Sequence, residues 1–321
     1  MKRSTLRLAL ATAVALAVGA IVAPVTWVAG HTTTIATFDP EQGQLPEGVA
    51  VDADGDVFAS LTTLGQLVRI PAGSDAPEAF GSVSGFLEGD FGPIGLTVDA
   101  DGNVYGGVSS QDPEANGVWR FDATTGAAAR LAGTEAVAFA NDVGFGEDGS
   151  LYISDTVGGS VWRVPPGGSA ELWVEDPLLQ GTGDFGFGFP IGANGIDASS
   201  DTVYVAVTER SHIVAIPIAA DGSAGTPTTY AQLPEPVDGI ALDDAGNIYS
   251  AHPTANQVTR LAPDGMVEVI AEVGDGLDGP SSVEIVSGPD GALTAYIANF
   301  SIALGTPLGA GPSILAIELD D

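Results

Sequence analysis

The sequence of 321 residues contains no cysteine and a single lysine, Lys2. Disulfide bonds and thiol chemistry are therefore excluded, and stability has to come from packing. Three histidines and no thiols argue against a zinc or copper site. No segment after residue 30 has a long apolar stripe at helical spacing, so helix is expected to be a minor component.

Basic residues are scarce in general. Lys and Arg number 9 against 42 Asp and Glu, which gives a formal net charge of −33. A surface this acidic repels polyanions, and we therefore exclude nucleic acid as a partner. We interpret the acidity as a solubility feature, suited to a saline habitat, rather than as a surface for a specific cationic partner.

The first 30 residues differ from the rest of the chain. Lys2, Arg3 and Arg7 precede an uncharged apolar stretch of 22 residues from Leu8 to Ala29. This pattern is typical of an export signal, so residues 1–30 are predicted to be a signal peptide of a secreted, periplasmic or cell-surface protein. An uncleaved membrane anchor is the alternative, because a stretch of this length can span a bilayer. Removal of residues 1–30 takes away three basic residues and no acidic one, which moves the net charge from −33 to −36.

An internal repeat determines the predicted architecture. The segment Pro46–Phe58 returns almost unchanged as Pro93–Tyr105, and four weaker copies follow. Each copy combines a short apolar strand, a tight turn such as Asp-x-Asp-Gly and a second, alternating strand, and two further strands come after it. The copies begin 43 to 53 residues apart, which is enough for one four-stranded sheet each. Residues 31–321 are therefore predicted to form one all-β domain, a six-bladed β-propeller.

The last repeat is one strand short. It offers only Ser282–Ile285, Thr294–Ala298 and Ser313–Leu319 as strands. The isolated strand Thr33–Phe38, before the first repeat, is predicted to supply the missing outer strand of the sixth blade. Such closure by both termini removes sheet edges that invite aggregation.

One column of the repeat carries the candidate chemistry. The residues just before the first strand of each copy, here called the ring residues, are Glu47, Ile94, Asn141, Asn194, Asp238 and Ser281. The innermost strands of a propeller line its central channel, so these residues should converge on the channel mouth. Four of them are oxygen donors that together carry charge −2, a set suited to Ca²⁺ or another divalent cation. Asn, Asp and Glu beside Gly are also common turn residues, but a turn requirement would place one residue type in every copy.

With these residues, the chain resembles the senescence marker protein/gluconolactonase family, which includes regucalcin and diisopropyl fluorophosphatase. Paraoxonases and strictosidine synthase are its distant relatives. The resemblance spans about residues 32–321 and rests on the six repeats and on four short matches, Glu47-Gly48, Asn141-Asp142, Asn194-Gly195 and Asp238-Gly239. It implies a calcium ion at the channel mouth, held by Glu47, Asn141, Asn194 and Asp238. One departure is Ala193, where the family has proline.

The resemblance also implies hydrolysis of a lactone, ester or phosphoester. Calcium would then act as Lewis acid, and Asp238 as general base or nucleophile. His252 follows a second strand and is a candidate proton relay. A non-catalytic, calcium-stabilised propeller that binds a ligand or protein is the alternative, because a fold does not establish turnover.

The substrate is expected to be a small molecule that could be apolar, and the protein is expected to be a monomer. Ile94 replaces the polar group with which sugar lactonases of this family grip hydroxyls, so a sugar lactone is disfavoured. Phe185, Phe187 and Phe189 alternate with glycine in the loop of residues 181–192. They could form an apolar pocket wall or anchor the loop in the core.

Overall fold

The computed structural model describes residues 32–301 and 310–319. It contains six four-stranded antiparallel sheets, and the innermost strands of successive sheets contact one another around a closed ring. The predicted six-bladed, all-β propeller is therefore confirmed. The predicted signal peptide, residues 1–30, lies outside the described residues.

The 24 described strands are numbered in chain order. Those of the first half are β1 Thr32–Thr37, β2 Pro46–Val51, β3 Val57–Leu61, β4 Gln66–Ile70, β5 Glu78–Ser82, β6 Leu96–Val98, β7 Val104–Val108, β8 Gly117–Phe121, β9 Ala128–Arg130, β10 Ala140–Phe145, β11 Leu151–Asp155, β12 Ser160–Val164 and β13 Glu171–Glu175. Those of the second half are β14 Ala193–Ala198, β15 Thr202–Val207, β16 His212–Pro217, β17 Thr228–Gln232, β18 Ile240–Leu242, β19 Ile248–His252, β20 Gln257–Leu261, β21 Val267–Ala271, β22 Pro280–Ser287, β23 Leu293–Asn299 and β24 Ser313–Leu319.

Each of blades 1 to 5 takes four consecutive strands, starting with β2, β6, β10, β14 and β18 from the channel outwards. The only helices among the described residues are single 3₁₀ turns, at Pro40–Gln42, Thr134–Ala136, Pro177–Leu179, Thr208–Arg210 and Val273–Asp275. In that part of the chain, no helix has the length and apolar character needed to cross a membrane.

Both chain ends build the sixth blade. Its strand order is β22, β23, β24 and then β1, and β1 pairs antiparallel with β24 from Thr32 opposite Ile317 to Thr37 opposite Ser313. Ala36 of β1 is buried in one cluster with Val49 of blade 1. The predicted closing strand is therefore confirmed, and apolar packing between blades 6 and 1 holds it in place.

The Asp-x-Asp-Gly motifs are hairpin turns. In blade 1, the Asp52 carboxylate accepts the backbone N–H groups of Asp54 and Asp56 at 3.0 and 2.9 Å. Gly55 has φ +83°, a left-handed conformation that side chains rarely adopt. The carboxylate is thus used to stabilise the turn, as the hairpin period predicts.

Candidate metal centre

The ring residues lie together at one end of the channel, because hydrogen bonds join the starts of neighbouring blades. On one side, the Gly48 N–H donates to Ser60 Oγ at 2.7 Å, and that hydroxyl donates to the Ile94 carbonyl at 3.1 Å. The Gly95 N–H then donates to the Asn141 carbonyl at 3.0 Å.

The chain of contacts closes on the other side of the channel. The Gly195 N–H donates to the Asp238 carbonyl at 3.1 Å, and the Gly239 N–H donates to the Ser281 carbonyl at 2.7 Å. Ser281 Oγ donates to the Glu47 carbonyl at 2.7 Å. Ser281 thus belongs to the ring through the backbone of Glu47, not as a side chain facing the mouth.

Close approach of the innermost strands explains the glycine that follows several ring residues. A Cβ atom at position 48 would come within 2.1 Å of the Ile94 carbonyl oxygen, and one at position 195 within 2.5 Å of the Asp238 carbonyl oxygen. Only glycine allows the backbones to approach this closely. The pairs Glu47-Gly48 and Asn194-Gly195 therefore combine a candidate ligand with a packing requirement.

Two threonines orient the asparagine side chains. Thr156 Oγ1 donates its only proton to the Ala193 carbonyl at 2.7 Å, so it can only accept from Asn141 Nδ2, which lies 2.9 Å away. Asn194 Nδ2 makes the equivalent 2.9 Å bond to Thr208 Oγ1. Because nitrogen and oxygen lie on opposite sides of a planar amide, both Oδ1 atoms point away from the threonines.

Glu47 is the electrostatically unusual member of the set. It is only 7% exposed, and its Oε2 atom is buried without a hydrogen-bond partner. Burial raises its pKa well above the ordinary value, and the charges of Asp238 and Asp142 raise it further. Burial also raises the pKa of Asp238 to about 7, although a hydrogen bond from the Asn194 side chain opposes the shift.

These residues fit a hard divalent cation. The ion pairs that arginines form in residues 32–301 engage other acids, so the two ring carboxylates have no arginine partner there. A cation would compensate their charge and satisfy Glu47 Oε2. The described residues contain no group of three or more His, Asp or Glu side chains arranged to hold a metal. The oxygens of Asn141 and Asn194 would therefore be needed as ligands.

Three more acids lie deeper in the channel. Asp142, Asp197 and Glu284, here called the channel acids, line a cavity of about 140 Å³ between the innermost strands. Burial raises their pKa values to about 7, 6 and 8, respectively. Asp142 and Asp197 accept backbone N–H groups from a neighbouring blade, Ile196 at 3.1 Å and Leu242 at 2.8 Å. These two acids thus also tie blades together.

His252 is buried at 1% exposure, and both its ring nitrogens are engaged. Nδ1 lies 3.0 Å from the Pro236 carbonyl oxygen, and Nε2 lies 2.9 Å from Thr259 Oγ1. Burial lowers its pKa, which keeps the ring neutral. A proton relay would require one of these contacts to open, so that role stays a prediction.

The threonine contacts and the channel acids were not identified from the sequence. Thr156 and Thr208 do have a sequence signal, because a hydroxyl residue follows the second strand of blades 1 to 4, at Thr62, Ser109, Thr156 and Thr208. Asp197 and Glu284 occupy equivalent positions of blades 4 and 6, while that position in the other blades is uncharged. A position occupied by an acid in only two of six copies gives a weak signal.

Two segments of the chain match known protein families in sequence. Residues 188–298, with Asn194 and Asp238, match the SMP-30/Gluconolactonase/LRE-like region. Residues 33–79, with Glu47, match the strictosidine synthase-like N-terminal region. Comparison with curated protein sequences gave no significant match.

Solved structures with the same architecture cover nearly the whole chain. A gluconolactonase of Xanthomonas campestris is 19% identical over 91% of this chain and 90% of its own, with a TM-score of 0.65. Regucalcin of Agrobacterium tumefaciens, a calcium-binding protein, is 19% identical over 92% of this chain and 96% of its own, with a TM-score of 0.66. The PQQ-bound aldose sugar dehydrogenase of Streptomyces coelicolor is 16% identical over 91% and 99%, with a TM-score of 0.61.

The resemblance to gluconolactonase and regucalcin propellers that the sequence predicts is thus confirmed. At these identities the structural likeness establishes the fold and transfers no activity, since a dehydrogenase is among the similar structures.

Proposed function

We propose that this protein is a secreted, calcium-dependent hydrolase of a lactone, ester or phosphoester. One observation carries the proposal: Glu47 presents a buried, unpartnered carboxylate oxygen beside Asp238, at a channel mouth that Asn141 and Asn194 share. Charge and donor type favour Ca²⁺, which prefers carboxylate and carbonyl oxygens. The match of residues 188–298 to the SMP-30/Gluconolactonase/LRE-like region supports the assignment.

In this proposal, Glu47, Asn141, Asn194 and Asp238 hold the ion. When bound, Ca²⁺ would supply Lewis-acid polarisation of a carbonyl or phosphoryl oxygen. Thr156 and Thr208 fix the asparagine amides, so both donors are oriented before a ligand arrives. The hydrogen bonds between blade starts position the backbone of the four residues.

Asp238 would carry the proton chemistry in one of two ways. As general base, its carboxylate takes a proton from the water whose oxygen bonds to the carbonyl carbon or phosphorus, and the departing oxygen later takes up that proton. As nucleophile, its own oxygen forms that bond while the bond to the departing oxygen breaks; water then hydrolyses the acyl or phosphoryl aspartate and supplies the proton that the departing oxygen takes up. Both routes need an ionised carboxylate, which a bound cation favours.

A panel of small lactones, aryl esters and phosphotriesters, assayed with and without chelator, tests the proposal. We expect turnover of at least one class that is lost with EDTA and restored by Ca²⁺. A chelator effect on the melting temperature with no turnover of any class would favour the non-catalytic binding propeller. Export is tested separately, by N-terminal sequencing of the protein recovered outside the cytoplasm, which should lack residues 1–30.

A further inference from the structure

An apolar surface lies on the rim of the channel mouth. Phe187 and Phe189 are 46% and 37% exposed, and their ring centroids are 6.4 Å apart. The Phe189 ring also packs against Phe139 with a centroid distance of 5.7 Å. The three rings thus form one continuous aromatic wall, and exposed apolar surface of this kind commonly marks a binding site.

The loop that carries Phe187 and Phe189, residues 181–192, is anchored by hydrogen bonds. The Glu209 carboxylate accepts backbone N–H groups from Thr182 and Gly183 at 2.6 Å each, and from Phe185 at 3.1 Å. Arg210 Nε donates to the Gln180 carbonyl at 2.6 Å, just before the loop. Glu209 is therefore a positioning residue that anchors the first half of the loop, next to the exposed phenylalanines.

The backbone segments that carry the aromatic wall run directly into the candidate metal centre. Phe139 lies two residues before Asn141, and its carbonyl accepts the Thr156 N–H at 3.1 Å. Gly192, at the end of the loop, lies two residues before Asn194 and donates to the Thr156 carbonyl at 3.1 Å. The same backbone thus carries the wall and two of the four candidate ligands.

The apolar character extends across blade 2. Ile94 is the ring residue of that blade, and Phe91 lies three residues before it. The Phe91 ring meets Phe300 of blade 6 edge-on, with a centroid distance of 6.0 Å. Leu87, in the same connection, is 58% exposed. Ile94 itself is buried at 1% exposure, so the apolar groups that this side of the rim offers to a ligand are the half-buried rings of Phe91 and Phe300 and the exposed Leu87 side chain.

We propose that Phe139, Phe187 and Phe189 bind a hydrocarbon chain of the substrate while its reacting group occupies the candidate metal centre. The inference rests on the proposed function and narrows the substrate class to alkyl-substituted lactones or esters. A hydrocarbon is the favoured occupant because the wall is apolar and Phe139 and the loop of Phe187 and Phe189 lie only a few residues before Asn141 and Asn194 along the chain. Burial of each methylene on such a wall should raise affinity about two- to fourfold.

A series of γ-lactones whose alkyl substituent grows from methyl to heptyl tests the inference. The reacting ring stays constant, so kcat/KM should rise about two- to fourfold per methylene through KM until the wall is covered. The Phe187→Ser/Phe189→Ser double variant should flatten this slope. Leu172→Ser/Tyr230→Ser is the matched control: these residues are 50% and 38% exposed but lie on the outer strands β13 and β17, so the slope should stay.

Binding separates this inference from the proposed function. In 3-alkylcyclopentanones, CH₂ replaces the ring oxygen, so they cannot be hydrolysed, and calorimetry reports the same chain-length slope without turnover. If the gain in affinity per methylene is lost only in the phenylalanine variant, the aromatic wall binds the alkyl chain, even if no lactone is hydrolysed. Turnover or binding independent of chain length would overturn it. So would a wild-type dimer that the phenylalanine variant alone breaks, because a second copy would then cover the wall.

Discussion

Replacement of Glu47 by glutamine should change stability in opposite directions with and without metal. In chelator, the folded protein retains a proton on this buried carboxyl that the unfolded chain releases above pH 4.5, because burial raises the pKa of Glu47. Stability of the wild type therefore falls as pH rises from 4.5 towards the raised pKa. Glutamine carries no charge to desolvate, so at pH 8 in chelator we expect Glu47→Gln to be more stable by about 1 to 2 kcal/mol.

Calcium should reverse the order. At an ion concentration of 100 times Kd, the wild type gains about 2.7 kcal/mol, which corresponds to a rise in Tm of roughly 5 °C for a chain of this size. Loss of a carboxylate ligand that weakens binding about 100-fold leaves a gain of only about 0.4 kcal/mol at the same concentration. The variant should then melt above the wild type in EDTA and below it in Ca²⁺.

Scanning calorimetry at pH 8 measures the difference in melting temperature between Glu47→Gln and the wild type, once in EDTA and once in Ca²⁺. Glu284→Gln is the matched control, because Glu284 is another channel carboxyl with a raised pKa but lies outside the four candidate ligands. That variant should gain stability in EDTA and keep the full response to Ca²⁺. An unchanged calcium response in Glu47→Gln would show that this carboxylate does not bind the ion, and the proposed site would be wrong.

Burial raises the pKa of Glu284 to about 8, so the stability of the wild type in chelator should fall as pH rises from 4.5 to 8. The stability of Glu284→Gln should fall less over this range, and urea unfolding at pH 6 and 9 measures the difference. Asp238→Asn should abolish turnover more completely than it weakens calcium affinity. In the control variant Asn194→Asp, the added carboxylate should bind calcium at least as tightly but make the ion a weaker Lewis acid. Equal activity of Asp238→Asn and the wild type at saturating Ca²⁺ would exclude the catalytic role of Asp238. Deletion of residues 31–38 removes β1 and exposes β24, so light scattering should detect aggregation, and a monodisperse variant would contradict the role of β1 in closure.

The propeller could be predicted because the strand pattern of one blade is repeated along the sequence. Six copies of one strand pattern determine the blade number, and the missing strand of the last copy indicates how the ring closes. The turn at Asp52 follows from local chemistry, because its side chain bonds only to neighbouring backbone groups. Features encoded locally or six times over are therefore accessible from sequence alone.

Contacts between blades could not be predicted in the same way. The orientation of Asn141 depends on Thr156, whose proton goes to the next blade at Ala193. The buried state of His252 likewise depends on Pro236 and Thr259, which the sequence places 16 and 7 residues away. These relations arise only when the blade spacing and twist are known. The sequence therefore identifies candidate ligands but not the groups that orient them.

A crystal structure of the calcium-soaked protein tests the central claim most directly. The account predicts one ion at the channel mouth with bonds of about 2.3–2.6 Å to oxygens of Glu47, Asn141, Asn194 and Asp238, which places these four oxygens within roughly 5 Å of one another. An ion bound only among the channel acids, or a mouth without an ion at saturating Ca²⁺, would contradict it.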